Sequence, residues 1–169
     1  MSELEILSAD RVRRMVVRLA YEVVERNRGT DNLVLLGILR RGEELARMLA
    51  GEISRIGGAV PWVPIDVGAF RDDVDRVGAA TSTLPDIDVT ARDVILVDDV
   101  LYTGRTVRAA LDAVVGLGRP SSIQLVVLVD RGHREYPIQP NFVGRTIPTK
   151  HRERVEVRTE PAPAVYIVE

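Results

Sequence analysis

The sequence contains no cysteine, which excludes disulfide bonds and thiolate metal sites. Its two histidines, His133 and His151, lie far apart and lack ligand spacing, so a metal site built from protein side chains is not expected. No apolar run approaches the roughly 20 residues of a membrane span. The acidic start, Met-Ser-Glu-Leu-Glu, lacks the basic and apolar regions of a secretory signal. These absences predict a cytoplasmic protein without a membrane partner.

An excess of positive charge is also missing. The chain carries 23 basic and 25 acidic residues, a net charge of −2, so bulk attraction to nucleic acid is not indicated and any RNA site must be a local patch. There is no low-complexity segment, Gly/Ser linker or solenoid repeat. A chain of 169 residues without such boundaries predicts one domain over 1–169.

The most informative stretch runs from Val94 to Val107. Its first four residues are branched and apolar, which is typical of a buried parallel strand, and we expect that strand to end at Asp98. Helical spacing of apolar residues resumes at Val107, so residues 102–106 are predicted to form the turn between strand and helix. The turn therefore lies at the carboxyl edge of a sheet.

The chemistry of this turn suits a phosphorylated ribose. Thr103-Gly-Arg-Thr106 supplies a glycine, two hydroxyls and the free amides of a helix start, which together can hold a phosphate. Asp98 and Asp99 would face hydroxyl groups or a hydrated Mg²⁺ on the same ligand. The alternative is that the two acids merely cap a loop before an ordinary helix start, but the complete string in its predicted context favours the ligand site.

A second anion site is predicted at the same edge. A buried strand over Leu33 to Leu36 leads into the glycine-bracketed loop 37–42, and a helix follows from about Glu43 to Ile56. Arg40 and Arg41 in this loop can hold pyrophosphate oxygens through their forked guanidinium groups. A plain turn with surface arginines is the alternative for this segment taken alone.

The remaining segments are expected to complete the site. A strand over Val60 to Val67 precedes a long loop, and we expect a flexible lid over about 68–92. A strand over Ile123 to Val129 delivers the segment 130–134 to the site edge, where it can read a base. Phe142 to Ile147, Val155 to Val157 and Val165 to Val168 are expected to form a small hood of short strands.

The first helix is expected to run from the cap Ser8 to about Asn27, with a buried apolar face. Its other face carries arginines at positions 11, 14, 18 and 26, for which simple solvation is favoured over RNA contact.

Residues 93–148 in particular resemble the PyrR family of bifunctional pyrimidine operon attenuators and uracil phosphoribosyltransferases. The resemblance rests on Val97-Asp-Asp-Val-Leu-Tyr-Thr-Gly-Arg-Thr106, Arg119-Pro-Ser-Ser122 and Val129-Asp-Arg-Gly-His-Arg-Glu135. It implies an α/β type I phosphoribosyltransferase fold, with a mostly parallel central sheet, flanking helices and a hood. The chain departs from the family pattern at Arg40, Phe70 and Arg145, where threonine, tyrosine and lysine are expected, and at Tyr21, Gln139 and Lys150, where histidine, arginine and serine are expected.

The family activity would be conversion of uracil and 5-phosphoribosyl-1-pyrophosphate (PRPP) into UMP and pyrophosphate, with Mg²⁺ held mainly by PRPP. The expected catalytic residues are Asp98, Asp99, Arg41 and Arg71. The expected substrate-binding residues are Arg40, Arg41, Asp98, Asp99, Val100, Leu101, Tyr102, Thr103, Gly104, Arg105, Thr106, Arg131 and Val155. A surface salt bridge is the alternative for Arg131.

The family also binds pyrimidine operon leader RNA when UMP or UTP is present, and thereby regulates transcription by attenuation. The resemblance carries RNA contact to Arg18, Arg26, His133, Arg134 and Arg145, and it implies a homodimer or higher homo-oligomer. Two alternatives stay open: a nucleotide-sensing regulator with little catalysis, and a phosphoribosyltransferase for another base, orotate or a purine, without RNA binding.

Overall fold

A computed structural model describes residues 2–73 and 84–169. The strands are β1 (Glu3–Leu7), β2 (Leu33–Ile38), β3 (Trp62–Ile65), β4 (Asp93–Leu101), β5 (Ser122–Asp130), β6 (Phe142–Thr146), β7 (Arg154–Arg158) and β8 (Ala164–Val168). The helices are α1 (Ala9–Asn27), α2 (Arg41–Ile56) and α3 (Arg105–Val115), with a short 3-10 turn at Gly68–Phe70. No helix among these residues is long and apolar enough to cross a membrane.

The central sheet has five parallel strands in the order β3-β2-β4-β5-β6. Its middle strands are buried on both sides and read as continuous apolar runs, because helices cover both faces. Helices α1 and α2 pack on one face and α3 packs on the other. The strand order reverses between β2 and β4, and a crevice at the carboxyl ends of such strands is where doubly wound sheets bind ligands. The predicted α/β fold with a mostly parallel sheet is confirmed.

A second, antiparallel sheet of three strands in the order β1-β8-β7 forms the hood. Its composition differs from the prediction in two respects. Phe142–Thr146 pairs with β5 as the edge strand of the central sheet, and Glu3–Leu7, which was not predicted to be a strand, supplies the third hood strand. Strand pairing decided both differences, and in the case of β1 the partner, β8, lies at the other end of the chain. Local alternation of residue types carries no information about which strand will be the partner.

The strand that carries the two acids is longer than expected. β4 continues through Asp98 and Asp99 to Leu101, because its pairing with β5 extends to Val100 opposite Val129 and Leu101 opposite Asp130. The turn is correspondingly shorter, and α3 begins at Arg105.

The expected lid, about 68–92, is described only in part, because residues 74–83 lie outside the described residues. Its first residues form the 3-10 turn Gly68–Phe70. In its last part Val89 is completely buried against the α3 side of the sheet, and Leu84 and Ile87 pack beside it.

Candidate active site

A cleft of about 300 Å³ opens at the carboxyl end of β4. Its lining comprises Arg71, Asp73, Asp98, Val100, Leu101, Tyr102, Thr103, Gly104, Arg105, Thr106, Val107 and Glu135. The structure therefore brings Arg71, Asp98 and the whole predicted phosphate turn, Thr103–Thr106, to a single cleft. The helix start faces it, and the first amides of an α-helix have no partner inside the helix.

The phosphate turn is held from behind by the segment that follows β5. The backbone amide of Arg131 donates to the Leu101 carbonyl at 3.1 Å, and the amides of Glu135 and Tyr136 donate to the Thr103 carbonyl at 2.9 and 3.0 Å. Between them, Arg134 Nη1 donates to the Tyr102 carbonyl at 2.9 Å. The carbonyls of three successive residues are thus bonded by the segment that follows β5. The turn is therefore fixed at the start of α3, where its Arg105 amide donates to Thr103 Oγ1 at 3.3 Å, and a fixed helix start of this kind is suited to binding an anion.

Glycine is required at position 104 for two separate reasons. Its φ of +90° lies in the region that residues with a Cβ rarely adopt. A Cβ at this position would also lie 3.0 Å from Ile138 Cγ1 and 3.4 Å from Tyr136 Cβ. The packing of the segment after β5 against the turn therefore depends on the missing side chain.

The two acids have different environments. Asp98 is only 8% exposed, and its Oδ1 accepts the Asp99 amide at 2.9 Å; the Asp99 Oδ1 in turn accepts the Val100 amide at 2.8 Å. Burial, reinforced by the charge of Asp99, raises the pKa of Asp98 well above its ordinary value of 3.8.

Arg71 reaches the phosphate turn from the segment after the 3-10 turn. Its Nη1 donates to Thr106 Oγ1 at 2.8 Å, while Nε and Nη2 form a two-point contact with the Asp73 carboxylate at 2.8 and 2.6 Å. The guanidinium group therefore lies beside the phosphate turn Thr103–Thr106, which we also call the anion cradle, with Asp73 as its counter-ion. The Asp73 carboxylate raises the pKa of Arg71, so this group carries its charge at any working pH.

The predicted pyrophosphate loop lies beside the acids, at the end of β2. Gly42 packs against β4 so closely that a Cβ would contact the Val97 carbonyl and lie 3.2 Å from Asp98 Cα, so only glycine permits the approach. The Leu39–Arg40 peptide bond is cis. Arg40 is exposed, and Arg41 Nη1 donates to the Val157 carbonyl of the hood at 2.9 Å. Arg41 and Asp99 line a separate cavity of about 10 Å³ next to the main cleft.

Arg131 is not a surface residue. It is 6% exposed, its guanidinium lies 4.0 Å from the Tyr102 ring centroid, and it donates to Thr149 Oγ1 at 2.9 Å and to the Glu153 carbonyl at 2.7 Å. It therefore joins the phosphate turn to the segment that enters the hood, and it forms no salt bridge among the described residues. Val155, the other predicted base contact, is half-buried on β7 and packs against the main core.

Arg131 lines a second cleft, of about 390 Å³. His133 and Arg134 line it, and His151 stands above His133 with ring centroids 4.1 Å apart. The proximity of the two histidines could not be read from the sequence. The guanidinium group of Arg134 bonds within the protein to the carbonyls of Tyr102 and Ile138 and to Asp130.

The predicted RNA-binding arginines fall into two groups. Arg18 and Arg145 line a groove of about 330 Å³ that also contains Arg11 and Arg14. Arg18 anchors the groove by donating to the Gly144 carbonyl at 2.5 Å. Arg26 lies outside this lining, with its guanidinium 5.8 Å from the Phe142 ring.

Sequence reasoning did not place Arg11 and Arg14 at a site, although their spacing with Arg18 follows one helical face. It also missed a cluster of Asp72, Arg105 and Tyr136 beside the phosphate turn. No signal in the sequence links position 72 to position 136, because only the folded chain brings them together.

The fold and the cleft define a class of protein that comparison with known families also identifies: residues 2–157 match the phosphoribosyl transferase domain. The hypoxanthine phosphoribosyltransferase of Trypanosoma cruzi, solved at 1.4 Å, shares the fold with a TM-score of 0.76, at 17% identity over 98% of this chain and 95% of that chain.

Closer relatives narrow the class. A protein of Pelotomaculum thermopropionicum named bifunctional protein PyrR is 52% identical over 160 residues, covering 92% of this chain and 88% of that protein. A pyrimidine operon regulatory protein of Lactococcus lactis subsp. cremoris is 48% identical over 159 residues, covering 94% and 91%. The chain belongs to the PyrR family, as the motif resemblance predicted.

Proposed function

We propose that the protein converts uracil and PRPP into UMP and pyrophosphate. The observation that carries the proposal is the phosphate turn at the start of α3, which shares one cleft with Arg71 and Asp98. Residues 131–136 fix this turn and the end of β4 by donating to the carbonyls of Leu101, Tyr102 and Thr103. Relatives named bifunctional protein PyrR support the same assignment.

Each part of PRPP has a counterpart at the sheet edge. The 5-phosphate would bind the amides and hydroxyls of Thr103–Thr106 at the start of α3. The ribose hydroxyls would donate to Asp98 and Asp99. The pyrophosphate would lie between the loop carrying Arg40 and Arg41 on one side and Arg71 on the other. Uracil would lie toward Arg131 and the hood, near Val155.

The reaction would break the bond between ribose C1 and the pyrophosphate oxygen, and the electron pair would leave with pyrophosphate. A uracil nitrogen would then form the new bond to C1 and lose its proton to solvent or pyrophosphate. Arg41 and Arg71 stabilise the departing charge, and the carboxylate of Asp99 stabilises the positive charge that develops on the ribose ring. The protein forms no covalent bond with the substrate, so catalysis depends on positioning and electrostatics.

The residues present fit a magnesium ion that arrives with PRPP. Among residues 2–73 and 84–169 there is no group of three or more His, Asp or Glu side chains placed to hold a metal. Mg²⁺ typically keeps several waters and binds one or two carboxylates together with substrate phosphates, and Asp98 and Asp99 can supply the carboxylates. When bound, the ion would neutralise the phosphate charge.

The test is PRPP-dependent formation of UMP from uracil by purified protein with Mg²⁺, with orotate and hypoxanthine assayed in parallel. Asp99→Asn is expected to lower turnover by about one to three orders of magnitude, because each 1.36 kcal/mol of lost transition-state stabilisation costs tenfold. Absence of UMP formation by the wild-type protein would refute the enzymatic proposal, and equal use of another base would refute the choice of uracil.

A second function, regulation of a pyrimidine operon through its leader RNA, is supported by the basic groove of Arg11, Arg14, Arg18 and Arg145. These four arginines concentrate positive charge in a chain whose net charge is −2, which is the local patch that phosphate contacts require. UMP or UTP in the active-site cleft would act as the effector. Arg26, Arg134 and His133 would extend the RNA contact around the edge of β6.

RNA binding is tested by filter binding with the pyrimidine operon leader RNA of the source organism, with and without saturating UMP, over a range of salt concentrations. Affinity that rises with UMP and falls with salt is expected. A nucleotide-independent, weak association equal to that of an unrelated RNA would exclude the regulatory function. The protein would act in the cytoplasm as a homodimer or larger homo-oligomer, which light scattering after size exclusion would measure.

A further inference from the structure

A cluster of three side chains joins two segments beside the phosphate turn. The hydroxyl of Tyr136 donates to Asp72 Oδ2 at 2.5 Å, and Arg105 Nη1 donates to Asp72 Oδ1 at 3.1 Å and to the Tyr136 hydroxyl at 3.0 Å. The Arg105 guanidinium also lies 4.8 Å from the Tyr136 ring centroid. Asp72 is therefore held from two sides.

Tyr136 is fixed to the phosphate turn independently of this contact. Its backbone amide donates to the Thr103 carbonyl at 3.0 Å, and its Cβ is one of the atoms that exclude a side chain at Gly104. Arg105 is the first residue of α3 and bonds to Glu135 at 2.7 Å. The position of the tyrosine hydroxyl is thus set by the same turn that would bind phosphate.

Holding Asp72 also fixes its neighbour Arg71. The guanidinium of Arg71 reaches Thr106 Oγ1 in the anion cradle, and the start of the same segment is tied to α3 by Arg108 Nη1, which donates to the Phe70 carbonyl at 3.2 Å. Asp73, on the other side, binds the Arg71 guanidinium directly. The contacts to Asp72 therefore add a third attachment of this segment to α3 and the phosphate turn, beside those of Phe70 and Arg71.

We propose that Tyr136 is a positioning residue that holds Arg71 in the anion cradle through Asp72. The proposal rests on the proposed use of PRPP at this cleft. Tyr136 contacts the phosphate turn at Thr103, Gly104 and Arg105, and it is not among the described residues that line the cleft. Its hydroxyl would therefore affect the binding of PRPP and leave the binding of uracil unchanged.

The size of the effect follows from the exposure of the cluster. The side chains of Asp72 and Arg105 are 38% and 31% exposed, so solvent screens the contact and the loss of one hydroxyl is modest. Tyr136→Phe is expected to raise the KM for PRPP about 3- to 10-fold, with the KM for uracil within about 2-fold of wild type. The phenyl ring still packs on Gly104 and under Arg105, so the melting temperature should not change.

A matched control exists elsewhere in the chain. Tyr166 in the hood makes the same kind of contact, donating to Glu5 at 3.3 Å with Arg158 stacked 4.3 Å from its ring centroid. Tyr166→Phe removes the same hydroxyl away from the cleft and should leave both KM values unchanged.

The decisive experiment is a cycle of Tyr136→Phe, Asp72→Asn and the double variant, with KM for PRPP and for uracil, kcat and melting temperature measured for each. If Tyr136 acts through Asp72, the double variant has the same KM for PRPP as Asp72→Asn alone. Independent multiplication of the two effects would overturn the proposal, as would an unchanged KM for PRPP in Tyr136→Phe. A loss of kcat that follows a drop in melting temperature would show a merely structural role and would also overturn it. If calorimetry shows that wild-type protein does not bind PRPP, the proposed function fails first.

Discussion

Substitution of Gly104 by alanine tests the structure of the phosphate turn most directly. The new Cβ would be forced to adopt a φ near +90° and would lie 3.0 Å from Ile138 Cγ1 and 3.2 Å from Ile138 Cβ. A left-handed conformation costs a residue with a Cβ about 1–2 kcal/mol. Inserting one carbon into a packed region costs about 1–3 kcal/mol more. We therefore expect Gly104→Ala to lower the free energy of unfolding by about 2–5 kcal/mol.

For a domain of this size, 1 kcal/mol shifts the melting temperature by about 2–4 °C, so the expected decrease is roughly 4–20 °C by calorimetry. Alanine substitutions at two other glycines separate the cost of backbone strain from the cost of packing. Gly132 has φ +80° with no atom near its missing Cβ, so Gly132→Ala carries the backbone strain alone, about 1–2 kcal/mol. Gly51 lies inside α2 with open space around it, so Gly51→Ala should stabilise the protein by about 0.5–1 kcal/mol.

The comparison of these variants can refute the reasoning. If Gly104→Ala melts within 2 °C of Gly132→Ala, the contact with Ile138 is not tight and the turn is not packed as described. Gly104→Ala is also expected to weaken PRPP binding at least tenfold in calorimetry at a temperature where the variant is folded, because the amides of the turn would no longer converge. Gly132→Ala with the same loss would contradict that explanation.

Three further predictions concern charged groups. Because the pKa of Asp98 is raised, the folded protein binds this proton more tightly than the unfolded chain, and the free energy of unfolding falls as pH rises above 3.8. In urea unfolding, Asp98→Asn should therefore be more stable than wild type by on the order of 1 kcal/mol at pH 7 and equally stable near pH 3.5. The same variant should lose turnover. Arg131→Gln should destabilise the protein by about 2–4 kcal/mol in the same measurement, because it removes bonds to two hood-side residues and the stack on Tyr102. Arg145→Gln should reduce the slope of log K against log salt for leader RNA by about 1, and Arg55→Gln, a surface change outside the groove, should leave that slope unchanged.

If the difference in free energy of unfolding between Asp98→Asn and wild type is the same at both pH values, burial does not raise the pKa of Asp98. A stability loss below 0.5 kcal/mol for Arg131→Gln would place that residue at the surface, where such small effects are usual. An unchanged salt slope for Arg145→Gln would remove the groove from the RNA contact.

Much of the fold could be predicted because its signals are local. The apolar runs that form β2, β4 and β5 are buried on both faces of the sheet. A continuous apolar run of this kind can be predicted as a buried strand without knowing which strands lie beside it. The helix α1 ends at Asn27, as predicted, and is followed by Arg28 and Gly29, both at positive φ. The hood was only partly predicted, because Glu3–Leu7 becomes a strand through pairing with β8 at the other end of the chain.

The candidate site divides in the same way. Asp98, Asp99 and the turn Thr103–Thr106 are contiguous in sequence, so the residue types and their order were sufficient to predict an anion site and to suggest its family. The sequence alone determined this site because strand, turn and helix start follow one another within fourteen residues of the chain. Only the tertiary structure decided how the turn is held: its carbonyls are bonded by residues 131–136, and Tyr136 meets Asp72 across a separation of 64 residues. The physical reason is that such contacts depend on the crossover of chain segments between adjacent parallel strands, and no local pattern of side chains specifies which distant segment will arrive there.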